Sequence, residues 1–190
     1  MNLETALSRY KDVHERILPS IISGFTKKNL KTGYLNLNPP LWILWHMARS
    51  EDFGINRLAC DGTQEFIKNK WGTRLNVKTN RIGTGMSKEE VKEVCEQLNA
   101  VALENYRTAV FKNNIDTLSR IQSEDLTTDW NDDYLNNVLF TEGTLDKGTN
   151  NILPVYQKKT REWFVVHTLV AHSFYHIGQL SVIKQLTGKN

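Results

Sequence analysis

The chain has 190 residues, 39% of them hydrophobic and 24% charged. That is enough length and apolar content for a single globular domain over 1–190, and it excludes a disordered or collagen-like chain. With 24 basic and 21 acidic residues the net charge is +3, too balanced to imply nucleic acid or an anionic membrane as partner.

The opening "MNLETALSRYKD" has no apolar core of a secretory signal. No run approaches the ~18 apolar residues of a membrane span. Cys60 and Cys95 show no CxxC spacing and read as reduced thiols in a soluble, cytoplasmic protein.

Leu3, Ala6, Leu7, Tyr10, Val13 and Ile17 recur at the spacing of one helix face. They predict a first helix over about 2–28, kinked or divided at Pro19. "NLKTGYLNLN" reads as loop. A second helix is predicted over 39–60, with Asn38 as N-cap, Pro39 and Pro40 in the first turn and Gly62 after the stop. Residues 61–86 form a long connection rich in Gly, Asn and Thr. Ser87 and Glu90 have the spacing of a capping box and open a third helix over 88–120. Residues 121–153 form a second long connection, within which "DDYLNNVLF" is a candidate short helix. A fourth helix over 155–187, ending at Gly188, is apolar almost all round, as a central element would be. Four long helices joined by two long loops predict an all-α four-helix bundle. Loops of that length in a compact domain usually carry function.

Histidine is the residue that this pattern does not explain. In "HSFYHIGQL", His172 and His176 stand at i and i+4, which stacks both rings on one helix face. Two such rings can bind one metal, or they can be packing material. His167 lies about 140° from His172 on a helix turning ~100° per residue, and is expected to point elsewhere. A third ligand must come from another helix. His46, mid-helix and flanked by Trp42 and Trp45, is one candidate, because an unpaired buried imidazole is costly. His14, in a half-solvated setting among Lys11, Asp12, Glu15 and Arg16, is the other. Gln179 lies over the face of His176, and Arg49 and Ser50 lie one turn after His46. Trp42, Trp45, Trp163 and Tyr175 read as core aromatics. "TKKNLK" and "QKKTR" read as solvated faces.

"LWHMARSEDFGINRL", followed much later by "VAHSFYHIGQL", resembles the DinB-like (damage-inducible, YfiT-like) superfamily of metal-binding proteins. The resemblance covers nearly the whole chain in length and helix order. It implies an up-down-down-up four-helix bundle holding a divalent metal, usually zinc or nickel, on His46, His172 and His176. Gly178 and Gln179 complete the motif; Ile177 stands where many members have arginine. It also implies a homodimer formed through a helix face and, in several branches, transfer of a small thiol such as bacillithiol or mycothiol to an electrophile. Three neutral ligands leave an open position that would serve thiol transfer or hydrolysis equally, and a non-catalytic metal-binding module fits the same residues. Arg49, Ser50 and Gln179 are the candidates to orient a ligand there.

Overall fold

The computed structural model describes residues 2–187, and all regular elements among them are helical. Extended pairing is confined to two isolated bridges, Tyr34 with Leu37 and Asp129 with Thr160. The predicted stop at Gly188 lies outside the described residues.

Helix α1 covers residues 3–22 and stops short of the predicted 28. Asn2 caps it by accepting a hydrogen bond from the Thr5 amide. Pro19 does not divide it. The preceding turn, Val13–Ile17, is π-helical, and Leu18–Ile22 continues as α-helix. A wider turn thus lies where the proline ring would crowd an α-helical carbonyl.

Helix α2 covers residues 40–59, α-helical over Pro40–Asp52 and π-helical over Phe53–Ala59. Pro39, not Asn38, is its N-cap. Every residue from Pro40 to Asp52 is buried, so α2 is the central element, a place the sequence had pointed to in the fourth helix. The predicted helix 88–120 is two: α3, Lys88–Gln97, and α4, Ala100–Arg120. Leu98 and Asn99 are extended between them, and the Asn99 side chain caps α4 through the Val101 and Ala102 amides. The Ser87–Glu90 capping box is present. Helix α5 covers residues 161–187, capped by Thr160 and π-helical over His167–His172. It keeps an exposed side that includes Phe174, Val182 and Leu186, which is why it is not the centre.

The two long connections are folded. Residues 61–86 contain Glu65–Lys68 and Trp71–Leu75, and "DDYLNNVLF" contains Asp132–Asn136. Two apolar clusters result. One packs the first half of α2 against α3, α4 and the end of α5; the other packs Phe53–Ala59 against Phe164, Val165, Leu169 and the connection 121–153.

Burying α2 on all sides takes charged groups inside, and Arg49 and Asp52 find partners there. Arg49 is fully buried, donates to Gln64 Oε1 at 3.0 Å, to Asn80 O at 2.6 Å and to the Tyr106 hydroxyl at 3.2 Å, and lies 3.6 Å from Asp52. Asp52 accepts from the amides of Glu65 and Phe66, both at 2.7 Å, and from Tyr106 and Asn56. This knot straps the connection 61–86 to α2. Asp52→Ala strands a buried guanidinium and frees two amides, so we expect a loss of about 3–5 kcal/mol, read as a lowered urea midpoint.

Candidate metal centre

The imidazoles of His46, His172 and His176 converge. His46 Nε2 lies 3.1 Å from His172 Nε2, which lies 3.2 Å from His176 Nε2. The three potential ligand atoms are all within 4.8 Å of one another. His46 and His176 are buried, and His172 is half-buried.

The outer nitrogens decide the tautomers. His46 Nδ1 is 2.6 Å from the Ile82 carbonyl, and a carbonyl only accepts, so Nδ1 carries the proton. His176 Nδ1 is 2.8 Å from Gln179 Oε1 and is oriented the same way. Both Nε2 atoms therefore present lone pairs to His172. One proton on His172 Nε2 can satisfy only one of them. Three nitrogens crowded with too few protons are what a cation relieves, and tetrahedral bonds of ~2.0–2.1 Å would set ligand nitrogens about 3.3 Å apart. The three histidines could therefore hold a metal ion.

Ile82 is held from two sides. Its amide donates to Thr144 O at 3.1 Å, so the connections 61–86 and 121–153 meet at the residue that orients His46. Gly83 follows with φ +104°, and a Cβ there would come within 2.9 Å of Trp42 and Trp45 and 3.2 Å of His46 Nδ1. Only glycine brings the chain this close in that conformation. Trp42 stacks on His46, ring centroids 4.9 Å apart.

The histidines open onto a cleft of about 410 Å³. Ser50 lines it, and its buried Oγ has no hydrogen-bond partner. Gln179 holds His176 as described. Arg49, expected beside the cavity, turns away into the knot with Asp52. His14 is not a fourth member. Its side chain is buried rather than half-solvated, stacks on Phe111, and puts Nε2 3.1 Å from Glu51 Oε2, near enough for an ion pair but not aligned for a hydrogen bond. Tyr175, expected in the core, is exposed and lines the cleft. Burial pushes the thiols of Cys60 and Cys95 up to about 11, and neither lines the cleft.

His167 corrects the angular argument. It is not one of the three ligand candidates, yet it lines the same cleft, its ring centroid 6.4 Å from that of His172. The reason is the π-helical winding of His167–His172, which bonds i to i+5 and returns a residue to the side of its fifth neighbour. Neither this nor the Ile82 carbonyl has a signature in side-chain spacing; the i, i+5 histidine pair was the available hint.

No protein-family model matches the chain, and no curated protein matches it. Among solved structures it is similar to a conserved protein from Enterococcus faecalis, with a TM-score of 0.68 and 17% identity, over 98% of this chain and 97% of that one. At that identity the likeness shows the fold alone.

Two measurements test the centre. Bound divalent metal, assayed on untagged protein, should be lost in His46→Ala, His172→Ala and His176→Ala and kept in His14→Ala and His167→Ala. The second is pH. Burial pushes His46 down from 6.5 to about 3. Burial, and then the neighbouring imidazoles, lower His172; burial lowers His176 against its bond to Gln179. Below 6.5 the unfolded chain therefore binds more protons than the folded one. The metal-free protein should keep this contribution in full above pH 6.5 and lose it progressively toward pH 3. Its urea midpoint should fall across that window, less steeply in His46→Gln.

Proposed function

We propose that the chain is a divalent-metal enzyme of the DinB-like type that transfers a low-molecular-weight thiol to an electrophile. In this reading α1, α2, α4 and α5 form the up-down-down-up bundle, and zinc or nickel is the native ion. One observation carries it: three histidine Nε2 atoms converge at one wall of a cleft large enough for a small molecule. When bound, a divalent cation on three neutral ligands would supply a strong Lewis acid that lowers the pKa of a thiol or water at the open position.

The chain's own residues do the rest. Ile82 and Gln179 fix the rings of His46 and His176 so that their Nε2 atoms face inward. Ser50 Oγ is free to receive a hydrogen bond from the ligand or donate one to it. Trp42 and Phe53 line the cleft and exclude water. Thiol is favoured over water because, among the described residues, no Asp or Glu lines the cleft to serve as general base, and a thiol, with an ordinary pKa of about 8.5, gives up its proton far more readily.

His167 supports a second reading. It is an imidazole in the same cleft, its pKa lowered by burial, and is placed to accept a proton from water in a hydrolytic reaction. The two readings separate in one experiment. Zinc- or nickel-loaded protein is offered small thiols with 1-chloro-2,4-dinitrobenzene, and separately a panel of esters and amides. Thiol transfer should exceed background, vanish with chelator, fall by orders of magnitude in His172→Ala and change little in His167→Gln. Ester or amide cleavage that drops about 10²-fold or more in His167→Gln would favour hydrolysis instead.

A further inference from the structure

The cleft beside the three histidines differs from the rest of the surface in one respect. In a chain that is 24% Asp, Glu, Lys and Arg, no residue of these four types lines it among the described residues. Three other clefts do carry them: Lys31, Lys88 and Lys92 in one, Glu104 and Arg107 in another, Arg81 and Glu90 in a third.

The absence is built, because charged residues are at hand. Helix α2 passes along the cleft with His46, Ser50, Phe53 and Gly54 facing it. Arg49, Glu51 and Asp52 alternate with these and all turn elsewhere. Arg49 and Asp52 meet each other, and Glu51 accepts from the Tyr10 hydroxyl at 3.0 Å beside His14. The groups that orient His46 and His176 are a backbone carbonyl and an amide oxygen, both neutral. The walls are uncharged: flat apolar surface from Trp42, Phe53, Tyr156 and Phe164, neutral polar groups at Asn38, Thr84, Thr168 and His167, and an unpartnered hydroxyl at Ser50.

We propose that this cleft selects a ligand with an uncharged, aromatic or similarly flat apolar body carrying a single small metal-binding head. The inference rests on the metal reading above and narrows it. A charge on the body would leave water for walls that, among the described residues, offer no Asp, Glu, Lys or Arg to meet it, which is unfavourable for either sign. The pull of a cation on a second, remote anion is weakened once the head has partly neutralised it, and it falls with distance. The uncharged body loses only apolar hydration and gains contact with the aromatic walls. Thiols with charged bodies, glutathione among them, are thereby disfavoured.

Three matched probes test this: phenylmethanethiol, its para-carboxylate and its para-aminomethyl derivative. In cobalt-loaded protein, the thiolate-to-cobalt absorption band gives each affinity. The uncharged thiol should bind at least fivefold more tightly than both charged ones; a charged derivative within fivefold of it overturns the proposal. A second arm needs no metal. The corresponding benzyl alcohols are titrated into metal-free protein, and the amide signals of Gly54, Gly83 and Gly85 are followed by NMR. The uncharged alcohol should shift them and the charged ones should not; equal shifts overturn the proposal. Failure to take up one cobalt that His172→Ala abolishes, with the alcohol result as expected, overturns the metal reading and leaves the selectivity standing. Cobalt bound as expected, with charged and uncharged thiols bound alike, does the reverse.

Discussion

Helix α2 carries His46, Arg49, Ser50, Glu51 and Asp52 into the interior, and the surrounding structure is arranged around that burden. A buried ion without a partner costs several kcal/mol. The connection 61–86 therefore folds back so that its amides at Glu65 and Phe66 meet Asp52 and its carbonyl at Asn80 meets Arg49. Helix α4 contributes Tyr106 to the same knot, and Asn114 to the neighbourhood of Glu51. Once the connection is tied at these points, Ile82 and Gly83 are delivered onto His46. Stability and site geometry thus share one set of contacts.

The same arrangement separates two kinds of polar group on a single helix. The charged residues find their partners away from the cleft, Arg49 and Asp52 in the knot and Glu51 at Tyr10 and His14. His46 and Ser50 face it, one with its outer nitrogen held by a carbonyl and the other with a hydroxyl left unmatched. A site built this way presents neutral imidazoles beside aromatic walls. That is the environment in which an ion keeps most of its charge for the ligand that enters.

π-Helical winding recurs in α1, α2 and α5, over Val13–Ile17, Phe53–Ala59 and His167–His172. In α5 it turns His167 toward the cleft while the following α-helical turn keeps His172 and His176 stacked. In α2 it begins where Gly54 lies against Thr168 of α5; a Cβ on Gly54 would fall 2.2 Å from the Thr168 Oγ1. The two helices approach each other at this point because glycine leaves the room.

Much of this was legible in the sequence, because it depends on local spacing. Apolar periodicity and caps located the helices, and the Ser87–Glu90 box is where it was read. The i, i+4 rule placed His172 and His176 on one face. The choice of His46 over His14 was not decided by spacing, since both sit on long helices; it came from resemblance, and tertiary packing puts His14 against Glu51 and His46 against the other two. Leu98 and Asn99 break a helix whose apolar pattern runs straight through them, because the Asn99 amide is drawn to Leu75 O, a long-range contact. His167 was misplaced because ~100° per residue assumes α winding. The sequence by itself determined which residues could be helical and which imidazoles could stack. Only the tertiary structure decided which helix is buried all round, which charges are spent inside and which ring nitrogens face one another. Those outcomes depend on partners far apart in the chain, and no local pattern carries them.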